Sequence, residues 1–91
     1  MNKKHLNIRI SGRVQGVFFR ASAQSEAWKL GIKGFVKNEF DGSVYIEAEG
    51  AETQLNQFIQ WCRLGPAHAM VKKIQMADGG LEDFEEFQVR Y

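Results

Sequence analysis

Apolar and polar residues alternate over positions 5–11, with Leu6, Ile8 and Ile10 set against His5, Asn7, Arg9 and Ser11. A period of two belongs to a strand with one buried face. The period lengthens after residue 20, where Ala23, Ala27 and Leu30 recur at i, i+4 and i+7 beside Trp28. That spacing predicts a helix over 21–30, ended by Gly31 in the left-handed conformation. Residues 12–20 read as a glycine-containing loop between strand and helix. A second strand is predicted from about Ile32 to Phe40 and a third along Val44, Ile46 and Ala48, joined by a two-residue Asp41-Gly42 turn. Such a turn sets Asn38 opposite Tyr45.

The helical period returns in Leu55, Phe58, Ile59 and Cys62, and Gly65-Pro66 stops it. Ala69 and Val71 keep one strand phase while Ile74 and Met76 keep the other, which predicts a bulge near Lys72-Lys73 in a fourth strand. Asp78-Gly79-Gly80 reads as a turn, and Phe87, Val89 and Tyr91 as a last strand. The order β-α-β-β-α-β with an extra C-terminal strand predicts an α+β fold, the ferredoxin-like split β-α-β sandwich. Its sheet is antiparallel, with both helices on one face. The architecture carries enzymes and binding modules alike, so function has to come from the site.

Size and charge narrow the classes. Ninety-one residues are expected to form one domain, 1–91, with one modest core. Twelve basic against eleven acidic residues give +1, too balanced for a dedicated nucleic-acid or membrane-surface protein. The single Cys62 allows no internal disulfide. The basic opening Met1-Asn2-Lys3-Lys4 lacks the apolar run of a signal peptide, and no stretch approaches transmembrane length. A cytoplasmic location is the expectation, and a monomer the default.

Little of the usual catalytic equipment is present. His5 and His68 have no metal-type spacing with each other or with Cys62, which sits on the apolar stripe of the second helix. Glu82, Asp83, Glu85 and Glu86 read as a solvated acidic run. The loop is neither a Walker A motif nor a dinucleotide fingerprint. It does end at a helix N-terminus, where backbone N–H groups and the positive end of the dipole favour an anion. Arg20 stands at that junction, and its forked guanidinium suits a phosphate-like group; the alternative is an ordinary surface arginine. Asn38 is a polar residue between Val36 and Phe40 on one strand face, either a functional amide or a turn-forming asparagine near a strand end.

Gly12-Arg13-Val14-Gln15-Gly16-Val17-Phe18-Phe19-Arg20 resembles the first signature of the acylphosphatase family. Gly34-Phe35-Val36-Lys37-Asn38, followed by Gly42, Val44 and Gly50, resembles the second. Gly65-Pro66 with Ala69-x-Val71, and Phe87-x-Val89-x-Tyr91, resemble bacterial and archaeal members, so the likeness spans essentially the whole chain. Phe35 stands where Trp or Tyr is common, and Lys37 where Arg is common. The resemblance implies hydrolysis of acyl phosphates to a carboxylate and inorganic phosphate, which is also a competitive ligand. It implies a phosphoryl group held by the amides of Gln15, Gly16, Val17, Phe18 and Phe19 and by Arg20, with the attacking water oriented by Asn38. No metal, no cofactor and no phosphoenzyme are implied. Phe18, Phe40 and Tyr45 are candidates to contact the acyl group, with core packing the alternative for each.

Two other classes compete. Lys33 to Phe40 faintly echoes the stacking strand of RNA-recognition domains, but Lys37 replaces the second aromatic and the strand is the wrong one. The domain could also bind acyl phosphates as an accessory module for a partner. Acylphosphatase-like domains occur at the front of larger hydrogenase-maturation proteins. A chain ending after one domain without zinc-finger cysteines favours a free-standing enzyme.

Overall fold

The computed structural model describes residues 3–91. Its elements are β1 (Lys3–Arg13), α1 (Phe19–Leu30), β2 (Lys33–Asn38), β3 (Val44–Ala51), α2 (Glu52–Leu64), β4 (Met70–Gly79) and β5 (Phe87–Arg90). The strands lie in the order β4-β1-β3-β2-β5. The first four pair antiparallel, as the ferredoxin-like pattern requires. The fifth adds to β2 in parallel, so the whole sheet is mixed rather than antiparallel throughout. The direction follows from the path of the chain. It leaves β4 at one edge, reverses once across the sheet, and arrives beside a strand that already runs the same way.

Leu6, Ile8 and Ile10 on β1 share a face with Val44, Ile46 and Ala48 on β3 and with Val36 on β2. Ile8, Ile10, Val36, Val44, Ile46 and Ala48 are wholly buried there beneath the helices. From α1 come Phe19, Ala23 and Ala27, and from α2 the predicted stripe of Leu55, Phe58, Ile59 and Cys62. Fully burying one such aliphatic or aromatic side chain stabilises by roughly 1.5–3 kcal/mol. Cys62 is part of this packing, and burial pushes its thiol pKa up, away from reactivity.

The opposite face is crossed by residues 80–86, and a buried polar network holds them there. Glu49, fully buried, accepts the backbone N–H groups of Glu82 and Phe84 and faces His5 Nδ1 at 2.8 Å. His5 Nε2 lies 3.0 Å from Glu47. Burial opposes the charge on both members of the central pair. The hydrogen bonds and mutual attraction outweigh it, raising the His5 pKa and lowering that of Glu49.

Three details differ from the sequence reading. The β2–β3 connection is a three-residue loop, Phe40-Asp41-Gly42, rather than a two-residue turn, with Glu39 N–H bonded to Ser43 O at 2.8 Å and Gly42 N–H to Glu39 O at 3.1 Å. Gly42 adopts φ +92°, as the residue closing such a loop must. The register therefore shifts by one: Asn38 lies opposite Val44, and Lys37 opposite Tyr45. Asp78-Gly79 continues β4 instead of turning, because Leu6 and His5 on β1 pair with them. The expected bulge is present: Ser11 pairs with Lys73 and Gly12 with Val71, which leaves Lys72 as the extra residue. Gly12 belongs at this step, because a Cβ there would collide with the Met70 carbonyl.

Candidate active site

At the end of β1 the chain turns through Val14, which is buried, and enters the loop. Gly16 has φ +74° and Phe18 φ +63°, while Gln15 and Val17 stay outside the left-handed region. Alternating signs of φ turn successive backbone N–H groups toward one side, making an anion-binding concavity. Phe18 is also the N-cap of α1. Among the described residues no side chain caps this helix, and its first turn holds no acidic residue. Ser22 N–H, bonded to Phe18 O at 3.0 Å, is the first to find an intrahelical acceptor, so the preceding amides are open to an anion. Left-handed backbone at a phenylalanine costs roughly 1–2 kcal/mol.

The loop is fastened to the neighbouring hairpin by Gln15. Its Nε2 donates to Glu39 O at 2.7 Å and to Ser43 O at 2.9 Å. These bonds fix the loop relative to Asn38, the last residue of β2. Asn38 stands on the helix side of the sheet, beside Val44. Its Oδ1 is buried and has no hydrogen-bond partner among the described residues. Leaving such an acceptor unsatisfied costs about 1–3 kcal/mol.

Arg20, in the first turn of α1, is oriented from the other end of the chain. Its Nη1 donates to Arg90 O at 3.1 Å, and its guanidinium carbon lies 4.7 Å from the centre of the Tyr91 ring. Gln24, one turn further along α1, donates to Phe87 O at 3.1 Å. Gly16, Phe18, Phe19, Arg20, Asn38 and Tyr91 contribute to the wall of one cavity of about 810 Å³. Among the described residues, Arg20 is the single charged side chain on that wall.

A family model described as Acylphosphatase matches residues 6–89. The chain belongs to the acylphosphatase family. An acylphosphatase of Archaeoglobus fulgidus is 44% identical over 86 residues, covering 94% of this chain and 97% of the relative. The crystal structure of the Bacillus subtilis acylphosphatase superposes with a TM-score of 0.94 at 38% identity, covering 97% of this chain and 99% of that one. HypF of T. kodakarensis matches with a TM-score of 0.86 at 27% identity, over 97% of this chain but 12% of its own length. The sequence resemblance and the ferredoxin-like arrangement are therefore borne out, and so is the reading as an enzyme, a hydrolase.

Among the residues singled out by the acylphosphatase signatures, Gly16, Phe18, Phe19, Arg20 and Asn38 meet at the cavity. Gln15 and Val17 do not line it: the Gln15 side chain is spent on the hairpin carbonyls, and Val17 packs against the core. The Phe19 ring is also core, 5.3 Å from that of Trp61, which leaves its backbone as the part facing the loop. Of the three aromatics considered for an acyl group, Phe18 is on the wall. Phe40 is fully exposed in the β2–β3 loop, and Tyr45 lies on the far face of the sheet under Arg9. Desolvation, first, and a hydrogen bond to Glu47 push the Tyr45 phenol up to about 12. Phe35, the ring an RNA-binding strand would expose, is buried against Phe84 and Arg90. Sequence reasoning missed Tyr91 and Gln24 as wall residues. Tyr91 enters the sequence reading as the end of a strand and of a family motif, and nothing local ties its ring to Arg20 at the far end of the chain.

Proposed function

We propose that this acylphosphatase-family chain hydrolyses acyl phosphates, with the loop amides and Arg20 holding the phosphoryl group and Asn38 orienting the water. The reading is carried by the Asn38 amide, which stands on the wall that also holds the open amides and Arg20 and whose Oδ1 has no partner among the described residues. A water bonded to the Asn38 amide at this wall is held in place with a lone pair free for phosphorus. The water oxygen bonds to phosphorus as the bond from phosphorus to the bridging oxygen breaks, and the carboxylate leaves with the electron pair. The water's proton passes to a non-bridging phosphate oxygen, so no side-chain base is needed.

Arg20 and the amides stabilise the charge on the equatorial oxygens, and placement does the rest. The good carboxylate leaving group makes acid assistance unnecessary. The other candidate groups are elsewhere: Cys62 is sealed in the core, and His5 is bound to Glu49 and Glu47 on the opposite face. The proposed catalytic residues are Arg20 and Asn38, with Gln15, Gly16, Val17, Phe18 and Phe19 contributing backbone amides. The test is turnover of benzoyl phosphate in EDTA, with Arg20→Ala and Asn38→Ala beside the wild type. Rapid wild-type turnover lost in both variants supports the assignment. A folded wild type that binds phosphate without turnover would overturn it.

The HypF match supports a second reading, since the same fold occurs there within a much longer chain. In that reading the domain binds an acyl phosphate for a partner. Binding without turnover is its signature.

A further inference from the structure

We infer that Glu49, on the face of the sheet opposite the cavity, is a positioning residue for Arg20: it anchors the 80–86 crossing and so fixes β5, whose Arg90 carbonyl orients the guanidinium. The inference rests on the functional reading above and adds to it a residue that touches neither the substrate nor the reacting atoms.

The chain of contacts starts from a buried carboxylate. Glu49 is fully buried on β3, between His5 on β1 and Lys33 on β2. One of its oxygens accepts the Glu82 N–H and lies 2.8 Å from His5 Nδ1, and the other accepts the Phe84 N–H at 3.0 Å. Asp83, between those two amides, takes a left-handed backbone at φ +57°, so the crossing wraps the carboxylate as a nest of amides wraps an anion. Burial opposes the charge on Glu49, yet the Glu82 amide, His5 and the Phe84 amide together lower its pKa. Buried ion pairs add little net stability, and their best-attested use is to select one arrangement. The arrangement selected here is that of residues 80–86, which fall outside every helix and strand. Lys3 adds an ion pair to Asp83 at 3.2 Å, exposed and screened by solvent.

From the crossing the position is handed to β5. The Phe84 ring lies between that of His5, 5.8 Å away, and that of Phe35, 5.9 Å away. Further along, Gly34 N–H donates to Glu86 O at 2.9 Å, and Phe87 begins β5 opposite Gly34. β5 is four residues long at the edge of the sheet, with Phe87 buried at its start and Arg90 exposed at its end. An edge strand with so few buried contacts opens locally at low cost unless its approach is fixed. Arg90 O is the acceptor for Arg20 Nη1 at 3.1 Å. Displacing the strand therefore frees the guanidinium to turn away while the amides of the β1–α1 loop stay in place.

The test is the Kd of inorganic phosphate, measured by calorimetry for the wild type, Glu49→Gln, Arg20→Ala and the double variant. Glutamine keeps the shape of Glu49, but its amide nitrogen must face the N–H of Glu82 or of Phe84, donor against donor. Glu49→Gln is expected to weaken phosphate binding about three- to tenfold, the worth of one hydrogen bond, and to lower kcat/KM for benzoyl phosphate by a similar factor. In the Arg20→Ala background it should cost nothing further, because the group it positions is gone. Glu82→Pro deletes one donor from the exposed side of the crossing, and should reproduce the weaker binding even if Glu49→Gln fails to fold. Cys62→Ala opens a cavity on the helix side of the sheet, and should lower Tm while leaving phosphate affinity unchanged. Equal fold-losses from Glu49→Gln with and without Arg20 would overturn the inference, as would a folded Glu82→Pro that binds phosphate like the wild type. Phosphate affinity indifferent to Arg20→Ala would overturn the functional reading and this inference with it. Phosphate binding that obeys the cycle without turnover of benzoyl phosphate would overturn hydrolysis alone and support the placement by Glu49.

Discussion

Replacing Asn38 by leucine should make the protein more stable and nearly inactive, and the two effects have one cause. Asn38 Oδ1 is buried without a partner among the described residues, between the core-facing Val36 and the cavity. Leucine has nearly the same branched shape but no polar atom, so it removes the desolvation cost of about 1–3 kcal/mol carried by an unpaired acceptor. Allowing for imperfect fit, about 1–2 kcal/mol of stability is gained. For a domain of this size each kcal/mol moves Tm by about 4–8 °C, so thermal melting followed by circular dichroism should shift upward by about 4–15 °C. Turnover of benzoyl phosphate should fall by about 10²–10³ in kcat with little change in KM, because a water-orienting amide acts mainly in the transition state. Asn38→Asp provides the contrast. It keeps an acceptor but sets a carboxylate beside the phosphoryl group, so KM should rise as well. A lower Tm for Asn38→Leu would refute the reasoning, because it would make the amide a structural group whose loss damages the site indirectly. Unchanged kcat would refute the catalytic part alone.

Arg20→Lys keeps the charge but loses the fork that bonds Arg90 O and lies over Tyr91; kcat/KM for acyl phosphate hydrolysis should drop at least about 10²-fold. Gln15→Leu removes both hydrogen bonds to the Glu39 and Ser43 carbonyls, and should lower the unfolding free energy in urea by about 1–3 kcal/mol. The same variant should reduce kcat, because the loop and Asn38 lose their common tie. The His5–Glu49 pair should give stability a plateau between its two unfolded pKa values. Glu49, with its folded pKa lowered, contributes above its reference value of 4.5 and loses that contribution as acid protonates it. His5, with its pKa raised, contributes fully below its reference value of 6.5 and loses it as pH rises through the folded value. Urea midpoints measured against pH should decline on both sides, and His5→Gln should remove the alkaline decline. A decline that survives that substitution would assign it to another group.

What the sequence could and could not disclose follows from where each determinant lies. Both helices and the β4 bulge were legible because each is a local period or a break in one: Leu55, Phe58, Ile59 and Cys62 are close in sequence and buried together. The turn into α1 was legible for the same reason, since Gly16, Phe18 and Arg20 are closely spaced parts of one loop entering one helix. The hairpin register was misread because Asp41-Gly42 fits a two-residue turn, whereas the bonds from Glu39 N–H to Ser43 O and from Gly42 N–H to Glu39 O close a loop one residue longer. That one residue matters to the site. It sets Asn38 opposite Val44, on the helix side of the sheet where the loop and Arg20 stand. The orientation of Arg20 lay beyond reach for a different reason: its acceptor, the Arg90 carbonyl, enters through the parallel addition of β5. Backbone carbonyls carry no signature in a sequence, and a crossing strand becomes a neighbour only once the sheet exists. The same crossing passes over Glu49, which binds the amides of Glu82 and Phe84 on the way to β5. The buried acid therefore helps place the strand that steadies the arginine, although it lies on the opposite face of the sheet from the cavity.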